Sequence, residues 1–202
     1  MGFPFTMEPD KRARWLGLSH EELERKAAWL AEQRNLHVHT TQFFREAGKL
    51  VEFCWYHYPF ASLAFFQCIL GLEDSLRLLN GDRDVKFKEI FADVVKRGLV
   101  TDSIFTPFKF SDDPWKRFTG EAFDEGFDDF FEEKELKQYP ARPKTHVEVL
   151  SHIVPRLRNL YFHGNYQMSP DHLILAFQVR ELADALAPTV REVRESMWRR
   201  PI

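Results

Sequence analysis

Cysteine is scarce in this chain. The 202 residues include two, Cys54 and Cys68, without CxxC spacing. That pattern excludes a disulfide framework and a cysteine zinc site, and the apolar neighbours of both thiols predict reduced core residues. Charge of one sign is also lacking: 28 Lys and Arg stand against 31 Asp and Glu, a net −3. A general DNA-coating surface, which depends on clustered cations, does not fit that balance. No apolar stretch approaches the ~18 residues of a membrane span, and the charged opening MGFPFTMEPDKRAR does not resemble a secretory segment. The expectation is a cytoplasmic protein with no membrane association.

Several motifs are missing as well. There is no GxGxxG, GxSxG or GxxxxGK, hence no signature of a dinucleotide fold, a nucleophile elbow or a phosphate loop. No glutamate is followed three residues later by histidine, the spacing that di-metal helical bundles use. His37-Val38-His39 lacks further ligands in recognisable spacing and reads as a polar helix junction. No metal and no cofactor are expected. His57, inside FCWYHYPF, reads as a core or helix-end histidine.

What is abundant is phenylalanine, 20 residues, in a chain that is 44% hydrophobic. The apolar positions recur at threes and fours, the helical period. Ser19-His20-Glu21-Glu22 has the form of a capping box and opens a helix over about 20–34 with Leu23, Ala27 and Leu30 inward. A second helix is predicted over about 41–57, ended by Pro59. A third, FASLAFFQCILGLEDSLRLL from about 60 to 79, is apolar nearly all round at its start and belongs at the centre; Asn80-Gly81 ends it. A fourth covers about 85–97, with Asp84 as candidate cap and Gly98 as terminator. Two more cover about 145–163 and 171–197, with Pro155 and Pro188 as points of kinking or splitting. The fold class is all-α, with at most a short extended piece within 99–110.

Residues 101–143 differ in character. They hold four prolines, and 121–135 carries eight acids against Lys134 alone, alternating with Phe123, Phe127, Phe130 and Phe131. Either this is an amphipathic surface helix, or it is a segment that meets a basic partner or a basic groove. The organisation expected is an N-terminal helical extension, 1–58, and a helical domain, 59–202, with an insertion at about 101–143. Arg191, Arg194, Arg199 and Arg200 give a basic end, which suits a helix C-terminus and has a secondary reading as a contact for RNA phosphates.

One stretch carries chemistry. RNLYFHGNY places Arg158 and Asn159 on an apolar helical run, then His163 and Gly164. Arg158, four residues and His163 form the R-x4-H pattern of the HEPN superfamily, and RNLYFHG closely resembles its RNxxxHG form. DVKFKEIFADVVKRGLVTD (84–102) is similar, more loosely, to the second-helix region of those proteins. The resemblance spans about 60–197 and leaves the first fifty residues outside. It implies a HEPN-like helical bundle acting as an endoribonuclease on single-stranded RNA, as a toxin or phage-defence effector. It also implies a homodimer that faces two copies of the motif across one cleft.

In that reading His163 moves the proton, Arg158 binds the scissile phosphate and Asn159 orients His163 or the phosphate. A histidine of ordinary pKa exchanges protons near neutrality, and arginine offers a fixed cationic fork to phosphate oxygens. Arg156 and Tyr166 are candidates to hold RNA, and Tyr161 is expected to pack. HEPN toxins paired with a nucleotidyltransferase antitoxin continue the motif as His-x-Tyr. Here Tyr166 falls one place late, which puts its modification by such an antitoxin in doubt. The rival reading is a non-catalytic HEPN-like module that binds RNA, nucleotide or protein.

Overall fold

The computed structural model describes residues 8–12, 19–81, 85–105, 145–164 and 171–198. Among them are six α-helices and no strand, so the all-α class is what the chain adopts. The acidic Phe-rich run, Tyr166 and Asp84 lie outside the described residues.

Helix α1, His20–Ala31, starts on the expected capping box: the Ser19 hydroxyl accepts from the Glu22 amide, and the Glu22 carboxylate accepts from the Ser19 amide. Two of the orphan donors of the first turn are thereby satisfied. Leu23, Ala27 and Leu30 form its buried stripe. Its far end is closed by a residue distant in sequence. The fully buried guanidinium of Arg180 donates to the carbonyls of Leu30 (2.6 Å) and Glu32 (2.9 Å) and also holds Asp184.

Helix α2, Val38–Phe53, begins three residues before the expected start and stops four before the expected end. Proline disfavours helical backbone in the residue before it. The chain leaves the helix at Cys54 and turns before Tyr58-Pro59. Asp10 occupies that link: its amide donates to the Trp55 carbonyl and its carboxylate accepts from the Tyr58 amide. His57 is exposed there, edge-on to Phe60, and not in the core. Gly48 lets α2 approach α1 closely, since a Cβ would lie 2.7 Å from the Ala27 carbonyl oxygen and 2.8 Å from the Ala31 methyl.

Helix α3, Phe60–Asn80, is buried on most sides and ends at Gly81. It packs principally against α2 and against the last helix, so it is the centre of the molecule. Helix α4, Phe87–Lys96, lays Phe87, Ile90, Phe91 and Val94 on the core. Its N-cap position is Lys86, which makes no side-chain cap bond, so the expected cap at Asp84 is corrected. After Gly98 the chain makes a short 3₁₀ turn at Asp102–Ile104; the rest of the stretch expected to hold an extended piece, 106–110, lies outside the described residues.

Helix α5, His146–Phe162, has a second capping box, Thr145 with Glu148. The Asp102 carboxylate adds two bonds to the amides of His146 and Val147. Its first turn is therefore pinned by two carboxylates, both favourable against the helix dipole. Helix α6, Asp171–Trp198, is the longest. Pro155 and Pro188 each lie inside one continuous helix, so neither splits its element. Helices α4 and α5 pack together and against α3. Residues of α1 and α2 share one hydrophobic core with α3–α6. Both cysteines are free and buried within it, and burial pushes the Cys54 thiol up to about 12.

Candidate functional site

The motif occupies the last turn and a half of α5. Tyr161 anchors that end. Its ring stacks on Phe66, with centroids 5.5 Å apart, and its hydroxyl meets the His172 ring at 3.1 Å. The Ser62 hydroxyl lies 2.8 Å from the same His172 nitrogen, and Phe65 stacks flat on the imidazole. Burial drives the His172 pKa down to about 4, so at neutral pH it is an uncharged hydrogen-bonding link between α3, α5 and α6. Tyr161 is thus a packing residue, as expected. His172 and Ser62 had no local signature, because their partners lie on other helices.

Beyond this anchor the helix ends. His163 is the C-cap residue, with φ −89° and ψ 7°, the bridge region of backbone space. Its amide donates to the Asn159 carbonyl, and the Gly164 amide donates to that of Tyr161. Gly164 then takes φ +73°, a left-handed conformation that glycine adopts without steric cost. The His163 imidazole is exposed.

Arg158 lies one turn back and is held by a residue that sequence reading missed. Its Nε donates to Glu73 Oε2 at 3.0 Å, and its Nη2 to Oε1 at 3.4 Å. Glu73, on α3, is 6% exposed and also accepts from Arg77 Nε (3.1 Å) and Nη2 (2.7 Å). A buried carboxylate is costly unless paired and hydrogen-bonded; two arginines meet that requirement. The local sequence did not single it out, since Glu73 stands beside a second acid, Asp74, on the same helix.

The third Arg158 nitrogen, Nη1, makes only a long 3.4 Å bond to the Asn159 amide oxygen. Asn159, exposed, therefore contacts the arginine. Arg158 and His163 are not bonded to each other but share one ring. The Arg158 guanidinium lies 5.3 Å from the Phe162 centroid, and the His163 ring meets the same phenylalanine edge-on at 5.8 Å. Phe162 is 68% exposed. Cation, imidazole and accessible aromatic face are thereby grouped at one solvent-facing corner. Arg156 is half-buried on the same helix.

The His-x-His pair resolves as a junction. His39 Nδ1 lies 3.0 Å from Asp74, and His37 is the N-cap residue of α2. Among the described residues no group of three or more metal-ligating side chains occurs, and no helix is long and apolar enough to cross a membrane. No protein-family model matches this chain, and no curated protein or solved structure matches it.

Proposed function

We propose that the chain is a metal-independent endoribonuclease of single-stranded RNA, with Arg158 and His163 as its chemical pair. The observation that carries the reading is their convergence on the exposed Phe162 ring at the open end of α5. In the reaction the 2′-OH attacks the adjacent phosphorus, a base takes its proton, and the departing 5′-oxygen receives one. The products are a 2′,3′-cyclic phosphate and a 5′-OH. Imidazole serves in either direction of proton transfer. Glu73 holds one edge of the Arg158 guanidinium and leaves Nη1 directed elsewhere, an arrangement that suits a donor to a phosphate oxygen as charge accumulates there. Phe162 offers a face for an unpaired base.

The one histidine of each motif supplies one proton-transfer group. A twofold dimer would set each motif against its copy and provide both base and acid, with Phe162 near the axis. A toxin or defence role, a cytoplasmic location and any antitoxin partner belong to this same reading.

A second reading has its own observation. Two Arg158 nitrogens are committed to a buried carboxylate, which is what a structural arginine does, and that favours a non-catalytic RNA-binding or interaction module. Unstructured RNA incubated in EDTA with wild type, His163→Ala and Arg158→Ala separates them. Cyclic-phosphate products that fall roughly 10²-fold or more in both variants support the enzyme. Equal background from all three proteins leaves the module.

A further inference from the structure

Away from the α5 corner, the link between α1 and α2 meets the last third of α6 around a cavity of about 670 Å³. Its polar lining includes Arg34 and His37 from the link and Arg191, Arg194 and Glu195 from α6. The charges do not balance locally. Arg34 is offset by Glu32 and Asp184, each at 3.2 Å. Arg191 donates to the Asn35 side chain at 3.0 Å, a neutral amide that leaves its charge standing. Arg194 makes no hydrogen bond or ion pair among the described residues, and Glu195 is the sole carboxylate in the lining.

The field of Arg194 is felt next door. Burial first, then the Arg194 charge, lower the His37 pKa, against an opposing pull from Asp74. Helix α2 starts here with no acid in its first turn and no side-chain cap, so its positive dipole end adds to the same sign. In a chain of net charge −3, this is a built concentration of positive potential inside a concave site.

The geometry points to a second binding site, one for a small phosphomonoester. The volume falls within the ~300–1,000 Å³ of small-molecule pockets. Arginine forks are the preferred donors to a phosphate group. The remaining wall is aliphatic, with Leu36 and Val190 among its residues, and no Phe, Tyr or Trp appears in the described lining. A stacked base therefore has no platform. A compact aliphatic or sugar-like body carrying one phosphate fits both walls.

Isothermal titration calorimetry of the intact protein with glycerol 3-phosphate, inorganic phosphate and a single-stranded oligonucleotide tests this. Glycerol 3-phosphate is expected to bind one-to-one and more tightly than inorganic phosphate. Arg194→Ala and Arg191→Ala should each weaken it about tenfold or more, with Arg194→Lys intermediate and His163→Ala unchanged. Circular dichroism checks that the variants remain folded, and amide shifts at Leu36–Val38 and Ala187–Glu195 report the location. Absence of saturable binding at millimolar ester would overturn the assignment, as would equal affinity for inorganic phosphate. So would binding indifferent to Arg194→Ala, or an oligonucleotide that binds through Arg194 and is not displaced by the ester. Because His163→Ala leaves this site intact, its fate is separable from that of the ribonuclease reading.

Discussion

Replacing Glu73 with glutamine keeps its shape and removes its charge, which makes it the sharpest probe of the α3–α5 contact. The carboxylate accepts four arginine bonds, two from Arg77 and two from Arg158. Three of those bonds fall on Oε1 and one on Oε2, so an amide with its oxygen in the Oε1 place keeps three, weakened by the lost charge, and turns an N–H toward Arg158 Nε. Hydrogen bonds to charged groups contribute ~1.5–3 kcal/mol each. The side chains of Arg158 and Arg77 are 27% and 34% exposed and recover part of that from water, which places the net cost near 2–3 kcal/mol. For a chain of this size that corresponds to a melting temperature lower by roughly 4–12 °C. Urea and thermal denaturation followed by circular dichroism measure both quantities. Arg158→Ala should cost less, about 1 kcal/mol, because Arg77 still neutralises Glu73. The double variant should show a coupling of about 1 kcal/mol or more. A Glu73→Gln protein within about 0.5 kcal/mol of wild type, or strictly additive effects, would refute the idea that this carboxylate fixes Arg158.

Two further outcomes follow from buried polar groups. Arg180→Ala would leave the carbonyls of Leu30 and Glu32 without this donor and Asp184 with Arg34 alone; a loss of ~2–5 kcal/mol in urea unfolding is expected, and less than about 1 kcal/mol would contradict the role. His172 has a folded pKa of about 4 against an ordinary 6.5, so the unfolded chain binds the proton first as pH falls. Its contribution is complete above pH 6.5 and is lost between about 6.5 and 4, by roughly 3 kcal/mol at most. His37 and His152, also lowered by burial, slope the same way. Stability measured across that window should flatten in His172→Phe, and an unchanged slope would rule out the buried imidazole as its main source.

Helical faces were readable in advance because burial follows a local period. Leu23, Ala27 and Leu30 point inward as their spacing requires, and the apolarity nearly all round at the start of 60–79 placed α3 at the centre. Boundaries were legible where a cap uses adjacent residues, as at Ser19–Glu22, and less so where closure comes from afar. Asp102 reaches α5 from outside that helix, and Arg180 closes α1 across 150 positions. The early end of α2 belongs with these, since its turn is tied to Asp10. Of the two outcomes that Pro155 and Pro188 suggested, kinking or splitting, splitting does not occur, since each removes one donor yet leaves its helix continuous.

The candidate site divides along the same line. Arg158, Asn159 and His163 could be named from a short pattern because they are neighbours on one chain segment. What orients them could not, since Glu73 lies 85 positions from Arg158 and His172 holds Tyr161 from another helix. A motif of this kind specifies which groups are available; the surrounding bundle specifies which of their donors remain uncommitted. Here Glu73 engages two of the three guanidinium nitrogens, and the His163 imidazole is exposed. Any chemistry at this corner must therefore work through Nη1 and an imidazole that a partner or substrate still has to position. The weight of the functional question accordingly falls on what meets the exposed Phe162 face.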